Sequence, residues 1–254
     1  MKKYIKFFFN KLGYSIAKNN LSDNLIPIEA SAFEVDLIYK TKKYSMTDHK
    51  NLYLSTQAIK YISDANIAGD IVECGVWKGG HLIIFKLLCE KYSLKKKIYG
   101  FDTFQGMTGA SSVDVDYKGN KAIKILKETP IDSNDRDNIW CYSSLDEVKR
   151  NIVSICGNFK NINFINGDVA KTLRDKKNLP SKIALLRLDT DFYESTKIEL
   201  EILYPLLQDG GILIIDDYGY WNGARKAVDE YFSDIPHFKH VINHTCRMII
   251  KKKF

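Results

Sequence analysis

Residues 183–217 read IALLRLDTDFYESTKIELEILYPLLQDGGILIIDD, and this stretch decides the fold class. It holds two short apolar runs, 183–188 and 211–215, and between them a segment with helical periodicity that we predict to be a helix over 195–206. The second run is apolar at almost every position, as expected of a strand buried on both faces. A strand, a helix and another strand in this order predict a parallel βαβ unit.

The same alternation of apolar runs and helical patterns extends along most of the chain. Further strands are predicted at 70–74, 97–101, 162–165, 240–243 and 247–251. Further helices are predicted at 80–91, 145–155 and 224–232. The last two strands could form an antiparallel hairpin. We therefore expect an α/β fold with a Rossmann-like, mostly parallel sheet of seven strands that ends in this hairpin.

The sequence pattern divides the chain into two regions. Residues 1–68 are polar and helical, with predicted helices at 31–40 and 52–66, and we expect them to form an N-terminal cap or arm. Residues 69–254 hold the predicted strands and form the main domain. A polar segment within it, 106–138, is expected to be a mobile insert or lid.

The composition limits the classes of partner. Hydrophobic residues make up 45% and charged residues 27% of the 254 residues, as in an ordinary globular protein, and no apolar run is long enough to cross a bilayer. The net charge of +7 is spread out and matches no standard nucleic-acid module, so we expect no nucleic-acid partner. The first twenty residues predict an amphipathic helix that covers the domain or a partner subunit in a homo-oligomer, with membrane-surface binding as the alternative.

The cysteines indicate the redox environment. Their number is five, which is odd, and none forms a CxxC pair. Reduced structural thiols are the simplest explanation, so we expect a cytoplasmic protein.

A Gly-rich turn and an acidic residue follow the first two predicted strands. Gly75, Gly79 and Gly80 would allow a tight turn and a close approach to a ligand, with the carboxylate of Glu73 beside them. Asp102, after the second strand, could accept both hydroxyls of a ribose. Each feature alone could be a plain turn or a helix cap, but together they predict a nucleoside site.

Asp168 follows the third predicted strand at the same edge of the sheet. Its carboxylate could accept a hydrogen bond from an adenine amino group, or it could cap the helix that follows. The sequence leaves both interpretations open.

Acidic residues also follow both strands of the opening stretch. Asp189 and Asp191 come after the first strand, and Asp216 and Asp217 after the second. Neighbouring parallel strands end at the same edge, so these four carboxylates should converge. Like charges raise one another's pKa, and a hard divalent cation such as Mg²⁺, Mn²⁺ or Ca²⁺ would remove the repulsion. The sequence therefore favours a metal site.

Two other interpretations of these acids stay open. Some of them could cap helices or pair with Arg187 or Arg225. Asp189-Thr190-Asp191 is also a D-x-D pattern, which in a glycosyltransferase would bind a metal and a nucleotide sugar. A glycosyltransferase would leave the Gly-rich first turn and the Asp216-Asp217 pair without an explanation.

Five segments of the chain resemble the macrocin O-methyltransferase (TylF/MycF) family of class I S-adenosylmethionine-dependent methyltransferases. They are VECGVWKGG, YGFDTFQGM, LLRLDTDFYESTKIELEILYPLL, GGILIIDDYG and GARKAVDEYF, which together run from about residue 70 to residue 232. The resemblance implies a class I methyltransferase sheet, S-adenosyl-L-methionine as the cofactor and Mg²⁺ or another divalent cation. It further implies a small-molecule acceptor whose sugar hydroxyl is methylated.

The resemblance also implies roles for individual residues. Asp189, Asp216 and Asp217 would bind the metal, and Asp191 would be the catalytic base. The residues implied to contact the cofactor are Ser45, Met46, Thr47, Glu73, Gly75, Val76, Gly79, Gly80, Asp102, Thr103, Phe104, Asp168 and Val169. The acceptor could be a precursor of a surface polysaccharide or a glycosylated natural product.

Two rivals to this function stay open, one within the methyltransferases and one that is not an enzyme. A catechol-type O-methyltransferase would use the same metal on a phenol. A binding or scaffold protein that kept the fold should have lost some of the acidic residues, and no such loss is evident.

Overall fold

The structure is a computed structural model that describes residues 26–132, 135 and 137–252. The amphipathic helix predicted for the first twenty residues lies outside this range. Two helices of the N-terminal region are described, α1 (Ala32–Lys42) and α2 (His49–Asp64). Ser31 begins α1 with a capping box, because its hydroxyl accepts from the backbone of Glu34 while the Glu34 carboxylate accepts from the backbone of Ser31.

Within the described residues, seven strands form one sheet. They are β1 (Asp70–Cys74), β2 (Ile98–Asp102), β3 (Ile162–Asn166), β4 (Ile183–Leu188), β5 (Leu207–Ile215), β6 (His240–Val241) and β7 (Arg247–Ile250). Their order is β3-β2-β1-β4-β5-β7-β6, with β7 antiparallel to both β5 and β6 and the other pairs parallel. The predicted α/β fold and its terminal hairpin are confirmed.

Helices cover both faces of the sheet. Besides α1 and α2 they are α3 (Gly80–Lys91), α4 (Ala122–Glu128), α5 (Leu145–Cys156), α6 (Val169–Thr172), α7 (Tyr193–Leu203) and α8 (Asn222–Tyr231). The first three helices and α5 share one buried apolar cluster, and α6 to α8 share the other. Alternate side chains of β1 enter opposite clusters, Ile71 the first and Val72 the second. This burial on both faces explains the apolar strands.

The register brings the ends of the three central strands to one level. Cys74 is paired with Leu188, and Leu188 with Ile215, so β1, β4 and β5 end side by side. Two backbone hydrogen bonds continue this alignment beyond the strands, from Asp189 to Cys74 at 2.9 Å and from Asp216 to Leu188 at 3.0 Å. The acidic residues after β4 and β5 therefore start from adjacent positions.

One predicted helix boundary is corrected by the structure. The helix predicted over 195–206 begins at Tyr193 and ends at Leu203, where a 3₁₀ turn over Tyr204–Leu206 follows. Pro205 explains the end of α7, because proline has no N–H to donate to the carbonyl four residues earlier. β5 also starts earlier than predicted, at Leu207, because an irregular pairing with β4 extends it past two glycines.

The polar segment 106–138 contains structure that the sequence did not predict. It includes α4, whose Ala122 and Leu126 pack in an apolar cluster with Phe192 and Trp221. Asp114 of this segment accepts a hydrogen bond from the backbone N–H of Tyr193 at 2.8 Å, which caps the start of α7. The described part of the insert is thus docked on α7 and α8.

Two further findings concern the whole described range. None of its helices is both long enough and apolar enough to cross a membrane. All five cysteines lie within it, and each is a free thiol.

Candidate active site

A cavity of about 940 Å³ opens at the carboxyl ends of the central strands. Its wall includes the connection between α1 and α2, the turns after β1, β2, β3, β4 and β5, the insert and the hairpin between β6 and β7. Most of the residues that the sequence assigned to a site line this cavity, namely Ser45, Met46, Thr47, Glu73, Gly75, Val76, Gly80, Asp102, Thr103, Val169, Asp189, Asp191, Asp216 and Asp217. Gly79, Phe104 and Asp168 do not line it.

The turn after β1 is held close to the end of β4. Gly75 has a φ of +83°, and a Cβ added there would lie 1.9 Å from the carbonyl oxygen of Asp189. The sequence explained this glycine by the approach of a ligand. The structure gives a second reason, which is the contact between the two strand ends.

Asp102 organises the two turns on either side of it. Its Oδ2 accepts from the backbone N–H groups of Val76 at 2.7 Å and Trp77 at 3.1 Å, and its Oδ1 accepts from Phe104 at 2.7 Å. Burial raises the pKa of Asp102, and these three N–H donors oppose that rise. Because each carboxylate oxygen can accept more than one hydrogen bond, the side chain can still receive donors from the cavity.

For Asp168 the structure supports the interpretation as a helix cap. Its Oδ1 accepts from the backbone N–H of Ala170 at 2.9 Å at the start of α6. Its neighbours Gly167 and Val169 line the cavity instead. Phe104 is also turned away, since its ring is buried against Phe164 at a centroid distance of 6.2 Å.

Three carboxylates come together where β4 and β5 end. Asp189, Asp191 and Asp217 each offer an oxygen, and these oxygens all lie within 4.8 Å of one another. Asp191 has a φ of +68°, and its backbone N–H donates to Oδ2 of Asp217 at 3.2 Å. Burial and the charge of Asp189 raise the pKa of Asp191 to about 7. Such a group of oxygens can hold a hard divalent cation.

Arg187 stands beside these acids on β4. Its guanidinium is 1% exposed and donates to Glu73 at 2.9 Å, Asp189 at 2.8 Å and Asp216 at 2.5 Å. Pairing with this arginine, which the sequence left open, is therefore present for Asp189 and Asp216. Arg225 is not part of it, because its Nε donates to the backbone carbonyl of Tyr218.

Asp216 differs from the other three acids because both of its oxygens have protein partners. Arg187 donates to Oδ2, and the amide of Asn51 donates to Oδ1. Asn243 of the hairpin in turn donates to Asn51 at 2.7 Å and to Asp48 at 2.9 Å. The two asparagines join the cap to the acidic residues, and the sequence gave no signal for this contact.

Glu73 carries an unpaired oxygen in the buried part of the site. Its Oε1 accepts from Arg187, while Oε2 has no hydrogen-bond partner among the described residues. Burial raises the pKa of Glu73 to about 8, against the opposing effect of Arg187. A buried carboxylate oxygen without a donor fits a ligand with an ammonium group.

Aromatic side chains border the cavity beyond the acids. Tyr220 and His244 line it, and the ring of Tyr117 from the insert lies 5.3 Å from the ring of Tyr220 and 5.0 Å from that of His244. Trp221 lies next to Tyr220 at 5.2 Å. The sequence did not predict this wall, because its members come from three separate connections. An aromatic wall of this kind suits the flat face of a ring-shaped ligand.

Comparison with known proteins identifies the family to which the chain belongs. The model of the family described as macrocin O-methyltransferase (TylF) matches residues 35–246. A demethyldecarbamoylnovobiocin O-methyltransferase of Streptomyces niveus is 29% identical over 189 residues, which cover 74% of this chain and 67% of that protein. A tetracenomycin-C rhamnosyl 4'-O-methyltransferase of Streptomyces olivaceus is 30% identical over 196 residues, with 74% and 67% covered.

Solved structures agree with this assignment. The O-methyltransferase NovP superposes with a TM-score of 0.69 at 28% identity and covers 83% of both chains. A calicheamicin methyltransferase, CalS11, has a TM-score of 0.57 at 20% identity, which supports the fold alone, and covers 93% of this chain and 98% of that one. The family match over residues 35–246 contains all the residues that line the cavity, which run from Tyr44 to Thr245. The chain belongs to the macrocin O-methyltransferase family and is an O-methyltransferase.

Proposed function

We propose that this protein transfers the methyl group of S-adenosyl-L-methionine to a sugar hydroxyl of a small molecule, with the acceptor held by Mg²⁺ or another divalent cation. The observation that carries the proposal is the cluster of Asp189, Asp191 and Asp217 in the same cavity as the nucleoside-type turns of β1 and β2. One relative, whose name places a rhamnosyl group in its acceptor, supports a sugar as the acceptor.

The cofactor would occupy the half of the cavity that borders β1 and β2. Asp102 would accept the ribose hydroxyls, and the unpaired Oε2 of Glu73 would accept from the amino group of the methionine part. Ser45 and Thr47 lie on the cap side of the same half. Asp168 would act there only as the cap of α6. S-adenosyl-L-methionine supplies an electrophilic methyl group, so these residues mainly have to align it with the acceptor.

For the metal we propose Asp189, Asp216 and Asp217 as ligands and Asp191 as the base. Asp189 and Asp217 are already adjacent, whereas Asp216 would have to give up its contact with Asn51 to join them. Bound there, a divalent cation lowers the pKa of an acceptor hydroxyl. The carboxylate of Asp191 lies on the cavity wall with Tyr220 and can receive the proton that the hydroxyl loses.

A methyl-transfer screen tests the proposed reaction. The protein would be incubated with S-adenosyl-L-methionine carrying a labelled methyl group, against a panel of sugar nucleotides and free glycosides, with Mg²⁺ or with EDTA. We expect transfer to a glycoside or sugar nucleotide that stops in EDTA and returns with Mg²⁺. Full activity in metal-free protein, or transfer only to phenols, would contradict the proposal. Calorimetry with S-adenosylhomocysteine and a nucleotide diphosphate sugar as separate ligands tells a methyltransferase from a glycosyltransferase.

Binding of Mn²⁺, followed by electron paramagnetic resonance, tests the division of roles among the acids. We expect Asp217→Asn and Asp216→Asn to weaken binding at least tenfold, since each removes a charged ligand, and Asp191→Asn to change it little. The exposed Glu194→Gln is the matched control, because it removes one negative charge near the site without touching the cavity. If Asp191→Asn loses Mn²⁺ binding and Asp216→Asn keeps it, then Asp191 is the metal ligand and Asp216 takes the role of the base.

A further inference from the structure

His81 lies at the junction between the cap and the sheet. It is the second residue of α3, it is 4% exposed, and it borders the cavity. Its Nδ1 is 2.8 Å from the hydroxyl of Ser55 on α2, and its Nε2 is 3.1 Å from the hydroxyl of Thr47. The hydroxyl of Thr47 is in turn 2.9 Å from that of Ser45. A continuous line of four polar groups thus runs from α2 to the wall of the cavity.

The backbone holds the same segment in place. The N–H of Gly80 donates to the carbonyl of Tyr44 at 2.9 Å, and a Cβ at Gly80 would lie 2.7 Å from that oxygen. The start of α3 therefore presses directly on the backbone just before Ser45. The imidazole of His81 reaches Thr47 from this fixed position, so the segment has both a backbone and a side-chain anchor.

The charge state of the His81 imidazole limits the directions that the hydrogen bonds along this line of polar groups can take. Burial lowers the pKa of His81 well below its usual value, and the charges of Arg187 and Lys42 act in the same direction. A neutral imidazole has one N–H donor and one nitrogen acceptor. The two tautomers therefore send the hydroxyl protons in opposite directions.

The two tautomers differ in the directions in which the hydroxyl protons of Ser45 and Thr47 can point. If Nδ1 carries the proton, Nε2 must accept a hydrogen bond from the hydroxyl of Thr47. The hydroxyl of Ser45 can then bond to that of Thr47 only as a donor, so its proton points toward Thr47 and away from the cavity. If Nε2 carries the proton, it donates to Thr47 and Nδ1 accepts from Ser55. The hydroxyl proton of Thr47 is then directed away from His81, toward Ser45 or the cavity. Only this second arrangement offers an outward donor to an anion.

We infer that His81 is a positioning residue that donates through Nε2 to Thr47 and so directs one hydroxyl proton of the hydrogen-bonded Thr47–Ser45 pair at the carboxylate of the cofactor's methionine part. The inference rests on the proposed function, because it takes the cofactor as the ligand of this half of the cavity. His81 itself does not touch the cofactor. Its effect is confined to the amino-acid end, because the adenosine end is served by Asp102.

Two ligands that differ at the amino-acid end test this inference by calorimetry. S-adenosylhomocysteine carries the carboxylate, whereas 5'-methylthioadenosine lacks it and keeps the nucleoside. We expect His81→Ala and Thr47→Val each to weaken S-adenosylhomocysteine about tenfold, the scale of a hydrogen bond to a charged group, and to leave 5'-methylthioadenosine unchanged. His81→Gln, whose amide can donate to Thr47, should retain more of the affinity. His237→Gln is the control, because the half-buried His237 does not line the cavity, and it should change neither ligand.

The outcomes distinguish this inference from the proposed function. If the unaltered protein binds neither ligand, the proposed function fails. If it binds both and His81→Ala keeps its affinity for S-adenosylhomocysteine, or loses both ligands equally, His81 has no positioning role. The double variant His81→Ala/Thr47→Val should be no weaker than either single variant, because both remove one interaction. Additive losses would also overturn the inference, and thermal melts check that each variant is folded.

Discussion

Arg187 donates a hydrogen bond across 2.8 Å to Oδ2 of Asp189, the first of the acidic residues after β4. The same guanidinium reaches Glu73 and Asp216, so one buried cation pairs with acidic side chains from three strand ends. An arginine in an otherwise apolar strand, IALLRL, is explained by this arrangement. The acids of the site are thus partly balanced by the protein before any ligand binds.

Replacement of Arg187 should therefore destabilise the fold. We expect Arg187→Met to lower the free energy of unfolding by about 3–5 kcal/mol, because it leaves buried carboxylates without their cation. Urea denaturation measures this change, with Arg225→Met as the control, since the guanidinium of Arg225 bonds to the carbonyl of Tyr218 and lies over its ring, away from the buried acids. Part of the loss should return when Mg²⁺ is added. An Arg187→Met variant as stable as the unaltered protein would show that the ion pairs contribute little.

The role of Asp191 can be separated from cofactor binding. We expect Asp191→Asn to lower the rate of methyl transfer by about 10²–10⁴-fold, the usual contribution of a general base. The affinity for S-adenosylhomocysteine should stay the same, because Asp191 belongs to the acceptor half of the cavity. Single-turnover rates and calorimetry give the two quantities. A near-normal rate would remove Asp191 from the role of base.

Asp114 should stabilise α7 from outside the helix. The N-cap residue of α7, Phe192, has no capping side chain, and Asp114 of the insert takes that place by accepting from Tyr193. We expect Asp114→Ala to lower the free energy of unfolding by about 0.5–2 kcal/mol, as loss of a cap does. Hydrogen exchange should rise in the first turn of α7. Asp116→Ala is the matched control, because the carboxylate of Asp116 accepts from Lys118 and Asn120 within the insert and not from α7. Equal exchange in both variants would refute the capping role.

Glu199 should make the stability depend on pH. It is 0% exposed, accepts from the hydroxyl of Thr190 at 2.9 Å, and burial raises its pKa well above the usual 4.5. The unfolded chain releases this proton near pH 4.5 while the folded protein keeps it, so the folded state is favoured less and less as pH rises above that value. Denaturation midpoints measured across this range should fall less steeply in Glu199→Gln, which cannot ionise. Parallel profiles would show that Glu199 does not titrate differently in the two states.

The fold could be predicted because its central strands are buried on both faces. The runs 70–74 and 183–188 and the helix 80–91 have the bounds that the sequence predicted, since apolar continuity and helical periodicity mark them without reference to the rest of the chain. The short helix α4 was missed for the opposite reason. Its seven residues carry too little periodicity, and its apolar face is defined only by packing against Phe192 and Trp221.

For the site, the sequence located the acids and named Arg187 as a possible partner, but it did not reveal the contact with Asn51. Acidic residues after parallel strands converge by topology, which the register of β1, β4 and β5 explains. Asn51 and Asn243 are 192 positions apart, and a lone asparagine in a helix or a turn has no pattern that reveals such a contact. His81 was missed in the same way, because its partners belong to the cap.

The aromatic wall has a consequence for how acceptors can change among related enzymes. Tyr117, Tyr220 and His244 are supplied by the insert, the turn after β5 and the terminal hairpin, none of which carries Glu73 or Asp102. In the proposed function the wall borders the acceptor, so selection could reshape that end through loops while the end proposed for the cofactor stays constant. A new substrate range could arise by exchanging one surface segment, without rebuilding the sheet beneath it.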